Sequence, residues 1–360
     1  MHVAFLRPLY ERSGPWASVY LDASRNTENA AGALELRSRA ARTALEAAGC
    51  DAATAGALER ALLGHPVQGG PYGLAGFANG GEALLVRDLP APPRREIAAF
   101  GPLPHVMPLL AQLGESIPYV RVMVDRTGGR VEAVDADRLV RSEAVEGHEV
   151  FPLHRTKPGG WAQPRYQRAA KVTWQRNAGD VAAAVAEAAR ACGAEVVVVA
   201  GDPQARPLLV AQLPEHWQER VVQTDAGAGT TFDDATVRAI AARAAANAQA
   251  AVDRYRGSDA GGLPAVVRAL QRGQVGTVLL VDDPSSTARL WVGPEPAQLS
   301  FDPAQLHAMG VADPQRARAD AALVRAVVCS DADLVLAAPD EVRAEGGVAA
   351  LLRYSAVTTG

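Results

Sequence analysis

The sequence has few of the residues that build covalent or metal-stabilised frameworks. Its three cysteines, Cys50, Cys192 and Cys329, lie far apart and form no C-x-x-C pair. The seven histidines are equally dispersed, without an H-x-H or H-E-x-x-H spacing. Such scattered sets argue against a disulfide framework, a zinc knuckle or another structural metal site. We therefore expect neither a metal nor a cofactor.

Long apolar segments are also missing. The longest apolar runs, such as residues 196–200 and 278–281, have the length of a strand. They fall far short of the roughly 20 residues that a membrane span requires. The N-terminal stretch MHVAFLRPLYERSG lacks the apolar core and small-residue cleavage site of a signal peptide. The sequence thus predicts a soluble, cytoplasmic protein that does not bind membranes.

Positive charge is concentrated in one place. The net charge is −4 at pH 7, so any contact with nucleic acid must come from a local patch. Lys157 and Lys171 are the only lysines of the chain. Residues 150–179 contain both of them and not one Asp or Glu. The cations of this acid-free window are Arg155, Lys157, Arg165, Arg168, Lys171 and Arg176.

Aromatic residues stand between these cations, namely Trp161, Tyr166 and Trp174. Arg and Lys neutralise phosphates, and aromatic rings stack on unpaired bases, so the combination is typical of a nucleic-acid contact. The alternative is a solvated helix face with Tyr166 and Trp174 packed in the core, and we expect Trp174 to be a core residue. Trp161, next to Gly159 and Gly160, is the aromatic that we expect to be exposed.

The order of strand-like and helix-like segments predicts an α/β protein with three domains, residues 1–116, 117–253 and 254–360. A chain of 360 residues is long for one core, and 48% hydrophobic with 21% charged residues argues against wholesale disorder. The first segment combines strands and helices with a hairpin that turns at Asn79-Gly80, since such turns need positive φ. The last ends in a helix or turn at about residues 347–353.

The middle segment predicts a compact domain with a mixed sheet. It opens with a hairpin over residues 119–134, followed by a long helix over about 165–191 and a buried strand at 195–200. The apolar stripe of the long helix is Val172, Val181, Val185 and Ala188. Asp202 follows the buried strand, where α/β folds often bind ligands, but it is more simply the N-cap of the next helix.

The stretch HRTKPGGWAQPRYQR, residues 154–168, resembles the loop and helix start of the central domain in eukaryotic and archaeal class-I release factors and Pelota. It is more similar to bacterial release-factor-like proteins of actinobacteria and their relative Balon, a ribosome hibernation factor. Further similar stretches extend the resemblance over nearly the whole chain: WASVYLDASR, YVRVMVDRTGGRVE, DADLVLAAP and GGVAALLRY. The resemblance implies an N-terminal α/β domain, an RNase H-like middle domain and a C-terminal α/β/α domain resembling kink-turn-binding ribosomal proteins.

Release factors of this kind carry Gly-Gly-Gln on the middle-domain loop, and the Gln amide helps to position the hydrolytic water. The matching positions here are Gly159, Gly160 and Trp161. Tryptophan has one N–H donor and no carbonyl acceptor, so it cannot take that role. Gln163, two positions later, is the remaining candidate if the loop is remodelled.

Three functions follow as alternatives. The first is a non-catalytic, RNA-binding factor for the A site of idle or stressed ribosomes, of the hibernation or rescue type. Its RNA-binding residues are Arg155, Lys157, Gly159, Gly160, Trp161, Gln163, Arg165, Tyr166, Arg168 and Lys171. The second is a peptidyl-tRNA hydrolase that uses Gln163 on stalled ribosomes. The third is a protein-interaction module with a release-factor fold. The partners expected are the ribosome, with tRNA and a translational GTPase left open, and not DNA.

Overall fold

The computed structural model describes residues 3–26, 29–135, 138–147, 163–256, 261–342 and 344–353, with the backbone alone at 138 and 163–171. The chain forms two compact units. One combines Met1–Glu115 with Ala248–Gly360, and the other is Ser116–Asn247. Both mix helices and strands, which confirms the predicted α/β class. Since the first and last segments share a unit, their division into separate domains stays a prediction.

The N-terminal part of the first unit is one antiparallel sheet with helices. A short 3-10 helix, Ala4–Leu9, precedes it. Its elements are β1 (Trp16–Asp22), α1 (Ala30–Ala47), α2 (Ala52–Leu63), β2 (Gly73–Asn79), β3 (Glu82–Leu89), β4 (Ile97–Gly101) and α3 (Met107–Leu113). The strand order is β3-β2-β1-β4, with β1 buried at the centre.

The β2–β3 hairpin is confirmed, but its predicted turn is wrong by one residue. Asn79 pairs with Glu82, so the two central residues are Gly80 and Gly81, with φ of 58° and 83°. Glycine adopts positive φ without Cβ strain, and the Gly-Gly pair therefore takes the turn instead of Asn-Gly. Asn79 instead lies buried and donates to the carbonyl oxygens of Ser13 and Pro15 at 3.0 and 2.8 Å.

The second unit is a five-stranded sheet flanked by helices. Its elements are β5 (Tyr119–Val124), β6 (Gly128–Asp135), β7 (Arg138–Glu146), α4 (Gln163–Cys192), β8 (Val196–Gly201), α5 (Ala205–Gln212), α6 (Glu215–Gln218), β9 (Val221–Gln223) and α7 (Thr230–Arg256), which continues into the first unit. The strand order is β7-β6-β5-β8-β9. Strands β5 to β7 are antiparallel neighbours, whereas β8 and β9 run parallel to β5. This confirms the predicted mixed sheet, in the order of an RNase H-like fold.

The C-terminal part of the first unit contains two small sheets. Its elements are α8 (Leu263–Gln271), β10 (Val275–Val281), β11 (Arg289–Val292), β12 (Leu299–Ser300), α9 (Pro303–Ala308), β13 (Gln315–Arg318), α10 (Ala319–Cys329), β14 (Asp333–Ala337) and β15 (Val348–Leu352). The sheets are β14-β10-β15 and β12-β11-β13. Helices α8 and α10 cover one face of β10, and the end of α7 packs on the other face through Ala251 and Val252. The result is the α/β/α layering that the resemblance implies.

The terminal helix or turn predicted at about residues 347–353 is wrong. Residues Val348–Leu352 form β15, which pairs antiparallel with β10. The sequence VAALL suits a helix by propensity, but it completes the edge of a sheet, and Val348, Ala349 and Ala350 are fully buried there. Burial in the sheet outweighs the small difference in local propensity.

Candidate nucleic-acid interface

The predicted RNA-binding residues fall into two groups. Arg155, Lys157, Gly159, Gly160 and Trp161 lie outside the described residues, and their role stays a prediction. Gln163, Arg165, Tyr166, Arg168 and Lys171 lie in the first turns of α4, where the backbone is helical. Steps of three residues keep positions 165, 168 and 171 on neighbouring turns of one side of the helix.

Helix α4 is buried over its second half. The buried stripe starts at Asn177 and includes Val181, Val185 and Ala188, each 0 or 1% exposed. Three members of the predicted stripe are thus confirmed, but Val172 is wrong, since it is 64% exposed. Val172 lies ahead of the part of α4 that packs on the sheet. It therefore follows the apolar periodicity of the helix without facing the core. The stretch 163–173 extends roughly 16 Å at the helical rise of 1.5 Å per residue.

The β5–β6 turn meets α4 at the point where this burial begins. The guanidinium carbon of Arg126 lies 4.7 Å from the centroid of the Trp174 ring. Trp174 is only partly buried, so the prediction that it is a core residue is wrong. A cation over an indole face is attracted by the ring quadrupole. Trp174 thus joins α4 to the carboxyl end of strand β5.

A second contact fixes the same level of the helix. The buried Asn177 side chain donates to the carbonyl oxygen of Arg126 at 3.0 Å. Gly147, at the end of β7, donates its N–H to Thr127 O at 2.7 Å, and a Cβ there would overlap the Asn177 amide. Only glycine therefore allows β7, the turn and α4 to approach so closely.

A third contact comes from helix α5. The Gln212 side chain donates to the carbonyl oxygen of Gln175 at 2.7 Å. It also lies against Gly179 on the next turn of α4. The level of α4 between Trp174 and Gly179 is therefore held from both the sheet and the neighbouring helix.

Asp202 anchors the turn that leads into α5, although the N-cap of that helix is Gln204 and not Asp202 as predicted. Its carboxylate accepts from the N–H groups of Gln204 and Ala205 at 2.7 and 3.2 Å. It also accepts from Arg126 Nε at 3.0 Å. The N–H of Gln204, with further help from Ala205 and Arg126, lowers the pKa of Asp202. These bonds occupy the carboxylate that the ligand-binding alternative would have used.

Sequence reasoning missed Arg126, Asn177 and Gly147, because nothing local marks them. The motif Asp125-Arg126-Thr127-Gly128 signals only a turn: Asp125 accepts from the N–H of Gly128 at 2.9 Å. Among the described residues no group of three or more His, Cys, Asp or Glu side chains could hold a metal ion. Within the same part of the chain, every helix is too short or too polar to cross a membrane.

One family model matches the middle of the chain. Residues 118–260 match the model of bacterial archaeo-eukaryotic release factor family 2. The matched stretch includes the predicted RNA-binding residues and all of helix α4. It covers less than half of the chain and supports a release-factor-like middle unit.

Relatives of similar length exist in Mycobacterium tuberculosis. The uncharacterized proteins MT2704 and Rv2629 are each 29% identical over 365 residues, covering 98% of this chain and 96% of the relative.

Two archaeal structures align over most of the chain with low scores. An archaeal Pelota, from a model of ribosome-bound Pelota and ABCE1, is 14% identical, covers 98% and 94% of the two chains and has a TM-score of 0.41. The archaeal termination factor aRF1 is 15% identical, covers 97% and 96% and scores 0.26. Scores of this size do not establish a common arrangement of the whole chain.

Proposed function

We propose that this protein is a ribosome-binding factor that docks in the A site of idle or stressed ribosomes and hydrolyses no peptidyl-tRNA. It would act as a hibernation or rescue factor, related to Balon. The observation that carries the proposal is the acid-free, basic window of residues 150–179, which enters α4 ahead of its buried half. This window lies in the stretch that matches a release factor family.

The cations of the window have a chemical role in this account. Arg155, Lys157, Arg165, Arg168 and Lys171 would neutralise rRNA phosphates, and each such contact releases counterions. Trp161 would stack on an unpaired base, as aromatic side chains do in single-stranded RNA sites. The described end of this segment supports an accessible surface, because Val172, Gln175 and Arg176 are all exposed.

The proposal that the protein hydrolyses no peptidyl-tRNA rests on the identity of residue 161. Hydrolysis in the release factors of the resemblance depends on a glutamine amide, which both donates and accepts hydrogen bonds. Trp161 occupies that position and offers one donor. The protein would therefore occupy the site without cutting the ester bond.

Co-sedimentation with vacant 70S ribosomes tests the proposal. The wild type is expected to pellet with ribosomes at low salt and to dissociate as salt rises. An Arg155→Ala/Lys157→Ala/Arg165→Ala variant is expected to lose binding. A matched variant with three exposed arginines outside the window replaced, Arg190→Ala/Arg238→Ala/Arg272→Ala, carries the same charge change and should still bind.

Other results would point elsewhere. Failure of the wild type to bind at low salt would contradict the proposal and favour free tRNA or a protein partner. Binding only in the presence of a translational GTPase would support the ribosome as the target and would show that the GTPase delivers the protein to it. Equal loss of binding in both triple variants would mean that net charge, and not this segment, governs association.

A further inference from the structure

We propose that Arg126 is a positioning residue for RNA binding, which fixes the direction of the first turns of α4 by holding Trp174 against the edge of the middle sheet. This inference rests on the proposed function, because it assigns a purpose to the contacts that hold α4 just after its basic start. Arg126 itself lies outside the acid-free window and would contact no RNA. The proposal depends on three contacts of Arg126. Two are made by its guanidinium, and the third is made by its backbone carbonyl oxygen.

The guanidinium of Arg126 is held between two groups. Its carbon lies 4.7 Å from the Trp174 ring centroid, and its Nε donates to Asp202 at 3.0 Å. Asp202 is itself immobilised, because its carboxylate accepts from the Gln204 N–H and its own N–H donates to Val124 O. The planar guanidinium therefore cannot turn without losing one partner.

The backbone of Arg126 is tied to the same helix. Its carbonyl oxygen accepts from Asn177, one turn after Trp174, and Asn177 is 1% exposed. Side chain and main chain of one residue thus contact α4 on consecutive turns. Two contacts separated along the axis define a direction, whereas one contact would define only a point.

The direction matters because the helix continues past this support. Position 163 lies eleven residues before Trp174, and a tilt of ten degrees at Trp174 would move it by about 3 Å. A displacement of that size in the free protein puts a cation out of hydrogen-bonding range of its phosphate, so the helix must be reoriented on docking before the same contacts can form. Fixing the helix before binding reduces the entropy lost on docking.

The positive charge of Arg126 is already neutralised within the protein. A positioning role can therefore be distinguished from a direct contact with phosphate. The Arg126 side chain is 45% exposed, yet its guanidinium is paired with Asp202. A residue that contacts phosphate contributes about one unit to the salt dependence of binding, and a positioning residue contributes none. The slope of log Kd against log salt therefore distinguishes the two roles.

The experiment compares Arg126→Ala with Arg130→Ala, a matched control on the same hairpin. Arg130 is exposed, and its carboxylate partner Glu132 lies 4.0 Å away. Binding to vacant 70S ribosomes is measured over a range of salt, and amide hydrogen exchange of residues 163–173 is measured in the free protein. For Arg126→Ala we expect at least tenfold weaker binding, an unchanged slope and faster exchange. For Arg130→Ala we expect wild-type values.

Exchange of residues 181–192 serves as the internal check that the unit remains folded. Wild-type affinity and wild-type exchange in Arg126→Ala would overturn the proposal. So would a slope lower by about one with unchanged exchange, since that marks a direct phosphate contact. If the wild type itself fails to bind ribosomes, the proposed function fails, while faster exchange in Arg126→Ala alone would still support the fastening of α4.

Discussion

The guanidinium of Arg126 lies over the ring of Trp174, 4.7 Å from its centroid, at the carboxyl edge of the middle sheet. This contact marks the place where helix α4 changes from exposed to buried. After it the helix is buried from Asn177 onward, and before it Val172 is 64% exposed. The basic window therefore enters the fold at a defined and supported point.

Two valines of α4 test this division. Val181→Ala removes methyl groups from a fully buried site and should lower the free energy of unfolding by about 2–3 kcal/mol. Val172→Ala, at an exposed site on the same helix, should change it by less than about 0.5 kcal/mol. Urea denaturation followed by circular dichroism measures both. A large loss for Val172→Ala would mean that the first turns are packed after all.

Gly201 is a conformational requirement at the end of β8. Its φ is 113°, and a Cβ would overlap the carbonyl oxygen of Val124. Gly201→Ala should therefore destabilise the protein by at least about 2 kcal/mol. Gly227→Ala is the control, since nothing lies within 4 Å of its Cβ position. Equal melting temperatures for the two variants would contradict the predicted backbone strain.

The buried His105 of the first unit should make the free energy of unfolding depend on pH. It is 9% exposed, its carbonyl accepts from Tyr20 Oη at 2.6 Å and its N–H donates to Ser18 Oγ. Burial lowers the pKa of His105 to about 4, although the nearby Asp320 carboxylate favours the charged form. Between about pH 6.5 and 4 the unfolded chain binds a proton that the folded protein excludes.

The free energy of unfolding should thus fall as pH falls through this window, with His105 contributing at most about 3 kcal/mol. His105→Gln removes the titrating group while leaving the carboxylates, so its stability should fall less steeply from pH 7 to 4. Denaturant titrations at each pH give both curves. Parallel curves for wild type and variant would show that His105 does not titrate as argued.

The proposed match of Trp161 to the glutamine of release factors predicts that this protein releases no peptide. Ribosomes with labelled peptidyl-tRNA in the P site should retain the peptide when the protein binds. Release by the wild type would contradict the non-catalytic account, and Gln163→Ala would then test the remaining candidate. Loss of release in that variant would assign the role to Gln163.

Much of the middle unit could be predicted from sequence, because its signals are local. The valine run of β8 and the 3.6-residue periodicity of α4 are properties of contiguous segments. Strand β7 was not predicted, because Arg141 and Glu143 alternate with Ser142 and Ala144 at the edge of the sheet. Edge strands often carry such charges, and they then resemble loops.

The candidate site also has a part that local sequence signals predict and a part that they do not. Its basic window was evident from the missing acids, a property of consecutive residues. Its support was not, because Arg126, Trp174 and Asp202 lie far apart in the sequence and meet only in the fold. The exposure of Val172 could not be predicted either, since periodicity does not reveal where the sheet ends.

The most direct test of the central claim is the salt dependence of 70S ribosome affinity for the wild type and for Arg155→Ala/Lys157→Ala/Arg165→Ala. The account predicts a steep fall in wild-type affinity with salt, and a slope of log Kd against log salt smaller by about 2–3 in the variant, because three phosphate contacts are lost. Wild-type affinity that is insensitive to salt, or an unchanged slope in the variant, would contradict the claim that this segment binds rRNA.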